Sequence, residues 1–433
     1  MNWASTPASI ALIVVFIGCF GALALNLVHR LAAVGIGAFA CILVGTLLGF
    51  YTPADAATFL GGKADTLILL GGVGLVTGVL AESGFFSRLA RSAVEESGGS
   101  SKKIVISLCV ATFVLSCFVN NLATILVVVP LSLIVADAMK IDPQPLVLGE
   151  VVASNLGGAS TMIGDFPNML IATEVGLPFR EFLVYLAPVC LVQLAILIVY
   201  LSRELPDRQQ DPKAFRALLD RIAKQPWDAS TAFRGILMLA GMIVAFAVGS
   251  EHGISPALVA GVGGLVALVF SGVPPNLLLK RLHLGDILFF ACLFLMVGAV
   301  DASGLLNGFG RSLADLSSRS PLVGALAVAW GAAFVTSILN AGPTTALLVH
   351  ILLAALTPRA ASEATWWALS LGVCAGSSAT LTGATAGPVT ASLMEQHGRR
   401  LTFGAFAGTG VPLALLFLLV TSGYLVLLTS WGG

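Results

Sequence analysis

Two polar stretches interrupt long apolar runs of this chain and carry the side chains best suited to hold an ion. The first reads ASNLGGASTMIGDFPNMLIA and covers residues 153–172, and the second reads VCAGSSATLTGATAGPVTAS and covers 373–392. A helix unwound at membrane depth is tolerated only where its backbone lies inside protein or lines a water-filled cavity. A matched pair of interrupted spans is therefore the best sequence indication of a transporter's binding site.

The first stretch contains a carboxylate. Asp165 lies in an apolar span, where an ionisable residue indicates function by default, and Pro167 cannot continue a helical hydrogen-bond ladder. We expect Asp165 to bind a cation or to carry a proton, and the sequence leaves both open. The glycines would allow either the close approach of a ligand or tight packing between helices. The predicted ion- or substrate-binding residues are Asn155, Gly157, Gly158, Ser160, Thr161, Gly164, Asp165 and Asn168.

A second kind of polar break lies inside the apolar segments 103–139 and 321–357. Each segment is too long for one span of about 20 residues, so we expect a re-entrant hairpin with the break at its tip. Oxygens freed at such a break suit Na⁺, although asparagines can also merely cap two half-helices. The predicted binding residues of the first tip are Asn120, Asn121 and Thr124. The predicted Na⁺ ligands are Ser116, Asn120, Asn121 and Gly164.

The second half offers amides and hydroxyls at its breaks but no carboxylate. Its predicted binding residues are Asn340, Thr344, Thr345, Ser377, Ser378, Thr380 and Thr382, with Thr385 as a further hydroxyl. Such groups can hold an oxyanion or a neutral hydroxide, or complete a Na⁺ shell, and the sequence does not choose. We therefore expect one ionic and one neutral half of the site.

Three further ionisable residues fall inside apolar runs. Glu150 is expected near the cytoplasmic surface and Asp301 near an outer end, whereas His350 is predicted to be a hydrogen-bonded core residue. The seven cysteines all lie in apolar runs without CxxC spacing, which favours packing over disulfides or metal binding. No HExxH or GxSxG motif is present, so we predict no enzyme, no catalytic residue and no cofactor beyond a coupling ion.

The composition is typical of a membrane protein. Of 433 residues, 57% are hydrophobic and 10% are charged, whereas soluble domains carry about 25% charge. Mean hydropathy is +0.98. The first apolar run has no basic flank, so we expect a retained span and not a cleaved signal peptide. Without a basic patch with interleaved aromatics, nucleic acid is not an expected partner.

The two halves of the chain are similar in sequence. Residues 78–92 read GVLAESGFFSRLARS, and 298–312, 220 residues later, read GAVDASGLLNGFGRS. Five crossings and one hairpin in each half would orient the halves oppositely, as in many secondary transporters. We therefore predict an all-α polytopic membrane protein of two inverted repeats, each with five transmembrane spans, one re-entrant hairpin and one discontinuous helix. The predicted domains are a first transmembrane repeat at 1–202, a cytoplasmic linker at 203–233 with an amphipathic helix at 211–224, and a second, inverted repeat at 234–433.

Charge predicts the orientation in the membrane. The predicted spans are 8–28, 31–51, 66–84, 145–176 and 181–202, then 234–250, 255–272, 286–304, 365–394 and 403–430, with 145–176 and 365–394 broken. This arrangement places 17 of the 22 Lys and Arg residues on the side opposite the first residue. By the positive-inside rule that side is cytoplasmic, so both termini are expected to be periplasmic in a bacterial inner membrane.

Three motifs resemble the ArsB/NhaD permeases of the ion transporter superfamily, namely NNLATILVVVP, LGEVVASNLGGASTMIGDFPN and WWALSLGVCAGSSATLTGATA. That group includes arsenite pumps and Na⁺/H⁺ antiporters and is distantly related to citrate and dicarboxylate symporters. The resemblance covers most of the chain and implies an elevator-type carrier, often dimeric, with two hairpins and two unwound helices around a central site. The segment STMIGDFPNM is also similar to magnetosome membrane permeases.

The hairpin tips depart from the family pattern. Members often have Asp-Asn at both tips, whereas this chain has Asn120-Asn121 and Asn340-Ala341. Na⁺/H⁺ exchange through tip aspartates is therefore in doubt here.

Together these patterns predict a secondary active transporter that moves a small inorganic ion and is coupled to Na⁺ or H⁺. A Na⁺-coupled citrate or dicarboxylate symporter is a second candidate, although no arginine lies near the motifs to clamp a dicarboxylate. Three more candidates are an arsenite efflux permease, a protein handling protons or ions in a magnetosome membrane, and a non-transporting membrane scaffold. The expected partners are the small ion substrate, the lipid bilayer and a second copy of the chain in a homodimer.

Overall fold

The computed structural model describes residues 7–24, 28–204, 207, 209–222, 227–282, 284–355 and 363–431. Their regular structure is 22 α-helices, one 3₁₀ turn at Ser250–His252 and a single bridge between Ser100 and Gln209. The first eleven helices are α1 (Pro7–Ala24), α2 (Arg30–Leu48), α3 (Pro53–Gly61), α4 (Ala64–Glu82), α5 (Phe85–Glu96), α6 (Ser101–Ser116), α7 (Asn121–Met139), α8 (Pro143–Ala159), α9 (Phe166–Val175), α10 (Phe179–Tyr185) and α11 (Ala187–Glu204). The others are α12 (Pro212–Ile222), α13 (Ala229–Gly249), α14 (Pro256–Phe270), α15 (Pro275–Arg281), α16 (Leu284–Ala302), α17 (Leu306–Arg319), α18 (Pro321–Leu339), α19 (Ala341–Ala355), α20 (Glu363–Ala379), α21 (Ala386–Gln396) and α22 (Phe403–Trp431).

The predicted spans correspond to these helices. Within the described ranges, eight helices are long and apolar enough to cross a membrane, and shorter apolar helices accompany them. Each segment predicted to be broken consists of two helices, namely α6 and α7, α8 and α9, α18 and α19, and α20 and α21. The prediction of an all-α polytopic chain is confirmed, whereas the opposite orientation of the halves and the domain boundaries stay predictions. Arg208, Lys224 and Arg359, which the charge count includes, lie outside the described residues, as do both chain ends.

Four short helices, α3, α5, α15 and α17, lie between the predicted spans, where the sequence analysis placed only connections. The buried side of α5 consists of Phe86, Ala90, Ala93 and Val94, which recur at the spacing of one helical face. A search for apolar spans misses such helices because their other face is polar. The amphipathic helix predicted at 211–224 corresponds to α12.

The helices α8 and α20 lie at the centre of the described structure, where almost all of their residues are buried. Two hydrogen bonds join α20 to the first half of the chain, one to α8 and one to α9. Asn155 Nδ2 on α8 donates to Ser378 Oγ at 3.4 Å, and Ser370 Oγ on α20 donates to Asn168 Oδ1 at 2.6 Å. These bonds hold the two helix breaks beside each other.

Glycines let these central helices pack tightly against the first arms of the hairpins. A Cβ on Gly157 of α8 would lie 2.2 Å from the carbonyl oxygen of Phe113 in α6. A Cβ on Gly376 of α20 would lie 2.3 Å from the carbonyl oxygen of Ala333 in α18. Only glycine permits such an approach between two helix backbones. The same close contact therefore occurs once in each half.

Replacing Lys140 with glycine is expected to stabilise the protein by about 1 kcal/mol. Lys140 follows α7 with a φ of 54° and is exposed, and a left-handed conformation costs a non-glycine residue about 1–2 kcal/mol. Thermal unfolding in detergent should show a higher midpoint. The matched control is Lys103→Gly in the first turn of α6, where glycine lowers helix stability by about 1 kcal/mol. A lower midpoint for the Lys140 variant would contradict the expectation.

Candidate ion- and substrate-binding site

A cavity of about 400 Å³ lies where the two hairpin tips meet the two helix breaks. Small-molecule sites occupy about 300–1,000 Å³, so the cavity suits a small ligand. Both halves of the chain contribute to its wall. The predicted binding residues that line it are Asn120, Asn121, Asn155, Asp165, Asn340, Ser377 and Thr382, together with Thr385.

The first hairpin tip is the turn between α6 and α7. Asn120 caps α7, because its Oδ1 accepts a hydrogen bond from the Leu122 amide at 2.8 Å. The next side chain, Asn121, accepts a bond from Ser116 Oγ at 2.6 Å and donates its Nδ2 to Asn155 Oδ1 at 3.4 Å. Asn120 both caps a half-helix and lines the cavity, so the capping and the binding interpretations are compatible.

The first helix break lies between α8 and α9. Asp165 caps α9 by accepting the Asn168 amide at 3.1 Å, and the partial positive charge of a helix N-terminus stabilises an anion there. Asn168 is fully buried and donates its Nδ2 to the carbonyl oxygens of Ala159 and Thr161, both at 2.9 Å. Asn168 therefore closes the unwound turn, while Asp165 is left on the cavity wall.

Several oxygen atoms lie close to Gly158 and Gly164, where the first hairpin tip contacts the first helix break. A Cβ on Gly164 would lie 2.6 Å from the carbonyl oxygens of both Gly158 and Ser116. A Cβ on Gly158 would lie 2.4 Å from Asn121 Oδ1 and 3.1 Å from the Asp165 Cβ. Carbonyl, amide and carboxylate oxygens are the ligands that hard cations prefer. The chemistry fits a cation, and the proposed ligand set for Na⁺ stays a prediction.

The second hairpin tip is hydrogen-bonded directly to the second break. Asn340 has a φ of 83°, in the left-handed region, and its Nδ2 donates to the Thr382 carbonyl at 3.1 Å. Its Oδ1 accepts a bond from Thr385 Oγ1 at 3.3 Å, and the Ala341 amide donates to the Gly383 carbonyl at 3.1 Å. These bonds hold Asn340 in a conformation that costs about 1–3 kcal/mol.

One threonine in each helix break bonds the break to the preceding hairpin arm, and the arrangement is the same in both halves. Thr380 Oγ1 donates to the Ser337 carbonyl at 2.6 Å, and Thr161 Oγ1 makes the matching bond to the Cys117 carbonyl. Each hydroxyl also accepts the amide of the glycine three residues later, at 3.1 Å in the first half and 3.0 Å in the second. Both threonines therefore support the breaks and do not line the cavity.

Other predicted binding residues lie outside the cavity lining as well. Thr124 and Thr345 donate to the carbonyl oxygens of Val119 and Ala341, and the buried hydroxyl of Thr344 has no partner. The predicted residues that do not line the cavity are Ser116, Thr124, Gly157, Gly158, Ser160, Thr161, Gly164, Asn168, Thr344, Thr345, Ser378 and Thr380. Their roles as ligands stay predictions, and several of them already have structural partners.

An arginine lines the cavity, although no arginine lies near the motifs in the sequence. Arg30 at the start of α2 pairs with Asp286 in the first turn of α16, and both side chains belong to the cavity wall. Sequence reasoning missed them because neither residue is near a motif. The packing of α2 against α16 brings them together, and a basic residue at the end of a span ordinarily indicates only membrane orientation.

Aromatic rings form an apolar part of the wall beside Asp165. Phe166 and Phe290 stack with ring centroids 3.4 Å apart and an angle of 9° between the planes. Phe290 also abuts the second hairpin tip, since a Cβ on Gly342 would lie 2.8 Å from its ring. Helix α16 therefore contacts the first break and the second tip at once.

The three other ionisable residues are not part of the cavity lining. Glu150 is fully buried and accepts a hydrogen bond from Ser132, and its expected position near the cytoplasmic surface stays a prediction. Helix α8 begins at Pro143, about two turns before Glu150. His350 is buried, with Nδ1 2.7 Å from the Ala346 carbonyl, as expected for a core residue. Asp301 is exposed.

The apolar helices, and a cavity that both halves of the chain line, are typical of polytopic membrane transporters. A family model described as citrate transporter, CitMHS, matches residues 11–372. The chain therefore belongs to the CitMHS citrate transporter family. The predicted membership of the ion transporter superfamily is confirmed.

Known proteins similar to the chain agree with this class. The magnetosome protein MamN of Paramagnetospirillum magneticum is 32% identical, with 92% of this chain and 94% of that protein covered. An uncharacterized transporter of Mycobacterium tuberculosis is 29% identical over 96% of this chain and 98% of its own length. The crystal structure of the Alcanivorax borkumensis YdaH transporter shares the fold at a TM-score of 0.57 and 16% identity, covering 87% of this chain and 88% of that one. The similarity to a magnetosome protein is thus confirmed across most of the chain.

Proposed function

We propose that the chain is a secondary active transporter that moves a small ion through the central cavity and is coupled to Na⁺ or H⁺. The observation that carries this proposal is the position of Asp165, a carboxylate at a helix break that faces a cavity lined by both halves. Among the described residues, no basic side chain forms an ion pair with Asp165. An unpaired carboxylate at such a place favours binding of a cation or a proton.

Coupling follows from the cost of an uncompensated charge in a membrane. Among the described residues, the Asp165 carboxylate is stabilised by the hydrogen bond from the Asn168 amide and by the N-terminus of α9. Binding of Na⁺ or H⁺ neutralises it, which lowers the cost of moving the loaded site past the apolar frame. The oxygens around Gly158 and Gly164 would complete a Na⁺ shell, whereas a proton would need the carboxylate alone.

The second candidate function is symport of a small carboxylate. Two observations favour it, namely Arg30 on the cavity wall and the description of the matching family model as a citrate transporter. Arginine presents several N–H donors in a plane that matches a carboxylate. The likeness to MamN supports, as a further proposal, a magnetosome membrane as one site of action. A periplasmic location of both termini and a homodimer remain proposals.

Flux measurements in proteoliposomes test the proposed function. Purified full-length protein should accelerate the movement of one of phosphate, citrate or arsenite when a Na⁺ or a proton gradient is imposed, and the flux should cease when the gradient is dissipated. Protein-free vesicles are the control. If no gradient drives any of these solutes and neither Na⁺ nor H⁺ moves, the protein is not a carrier of this kind, and a scaffold role gains support.

A further inference from the structure

An arginine and an aspartate form an ion pair on the cavity wall, on helices other than the broken ones. Arg30 Nη2 donates to Asp286 Oδ1. The Asp286 side chain is 7% exposed and the Arg30 side chain is 38% exposed. Because both line the cavity, the exposed part of the guanidinium is open to whatever occupies it.

Each member of this ion pair can also interact with a group other than its partner. Asp286 lies in the first turn of α16, where the helix N-terminus also stabilises its charge. The guanidinium of Arg30 has five N–H donors in a fixed fork, and the structure records one bond from it to Asp286. Arg30 therefore keeps donors free for a second oxyanion, and a carboxylate or phosphate can be bound by two of them at once.

Among the described residues, Arg30 is the only basic side chain that forms an ion pair with Asp286. Arg281, which shares a smaller crevice with Asp286, is paired with Glu82 through its Nε. The Lys, Arg, Asp and Glu side chains on the main cavity wall are Arg30, Asp165 and Asp286, and the neutral imidazole of His29 lines it as well. Arg30 is thus the cationic group with which an anion in the cavity can pair.

We infer that Arg30 contacts an anionic substrate, an oxyanion or a carboxylate, and that Asp286 competes with this substrate for the guanidinium. The inference rests on the proposed function, because it assigns the substrate-recognition residue of the same cavity. Competition has a use in a carrier, since a site must bind its cargo well enough to load and weakly enough to release it. Asp286 sets that balance by holding Arg30 whenever the cavity is empty.

A purely structural tie between α2 and α16 makes a different prediction. If the pair only joined two helices, Arg30→Gln and Asp286→Asn would remove the same bond and would change anion binding in the same direction. If the two anions compete, the variants act with opposite signs. Arg30→Gln removes the recognition group, whereas Asp286→Asn removes the competitor and leaves the guanidinium to the substrate.

Binding of citrate and of inorganic phosphate to the purified full-length protein tests this inference, measured by calorimetry or by protection against thermal unfolding. For the anion that binds, Arg30→Gln should raise the half-saturating concentration about 10-fold or more, since a bond to a charged group is lost. Arg30→Lys should have a smaller effect because it keeps the charge but not the fork. Asp286→Asn should lower the half-saturating concentration several-fold. Arg91→Gln, which breaks an exposed pair with Glu95 on α5, is the matched control and should change nothing.

The double variant Arg30→Gln/Asp286→Asn guards against misfolding, since it leaves no unpaired charge. It should unfold at the wild-type temperature and bind the anion about as weakly as Arg30→Gln does. The inference is overturned if the wild type binds neither anion, if Arg30→Gln binds as the wild type does, or if both single variants shift affinity in one direction. Because binding is measured without flux, failure of the transport proposal shows separately, as anion binding without gradient-driven movement.

Discussion

Replacing Asp165 with asparagine is expected to abolish coupling of transport to the Na⁺ or proton gradient while leaving the fold intact. Asparagine caps a helix about as well as aspartate, so the bond to the Asn168 amide can be kept. The lost charge matters more, because an ion pair at 4 Å contributes about 4 kcal/mol at an effective dielectric constant of about 20. That energy corresponds to roughly 1,000-fold in cation affinity. Gradient-driven flux in proteoliposomes should therefore fall to the level of protein-free vesicles.

A second helix-capping aspartate provides the matched control for this variant. Asp142 caps α8 by accepting the Gln144 amide at 3.1 Å, and it is exposed and away from the cavity. Asp142→Asn makes the same chemical change at the same kind of position and should keep wild-type flux. If Asp165→Asn transports with unchanged coupling, or if both variants lose coupling equally, the role assigned to Asp165 is wrong.

The two hairpin tips and the first helix break could be located from the sequence because polar side chains are conspicuous in apolar runs. Asn120 and Asp165 are helix caps, and Asn340 lies in the turn between two half-helices. Residues that cap helices in water are the same ones that must compensate freed backbone groups in a membrane. A polar residue in such a run therefore predicts the break and its position in the chain together.

Which polar residues line the cavity and which ones stabilise the fold could not be predicted in this way. Thr161 and Asn168 have the same chemistry as cavity-lining groups, but Thr161 donates to a backbone carbonyl of the hairpin arm and Asn168 donates to two carbonyls of the broken turn. Arg30 and Asp286 lie far apart in the chain, and only the packing of α2 against α16 pairs them. Sequence shows which groups need partners, whereas tertiary packing decides which partner each one finds.

Replacing Gly157 with alanine is expected to destabilise the protein by about 3 kcal/mol and to abolish transport. The new Cβ would lie 2.2 Å from the Phe113 carbonyl oxygen, and a backbone atom cannot move aside by a change of rotamer. Helix α8 must therefore separate from α6, and overpacking of this kind costs about 1–3 kcal/mol or more. The separation also displaces Ser116, which ends α6 and bonds Asn121 at the tip. A lower unfolding midpoint and lost flux should appear together.

Two further glycines separate this steric effect from the general effect of alanine in a helix. Gly241 in α13 is exposed and has nothing within 4 Å of an added Cβ. Gly241→Ala should therefore leave the free energy of unfolding unchanged or raise it by up to about 1 kcal/mol, and the midpoint should not fall. Gly376→Ala repeats the clash in the second half, 2.3 Å from the Ala333 carbonyl, and should resemble the Gly157 variant. Wild-type stability of Gly157→Ala would mean that α6 and α8 are not held at this distance, and the cavity built on their contact would then lose its support. Loss of function in both clashing variants but not in Gly241→Ala would instead tie transport to the close packing of each hairpin against its broken helix.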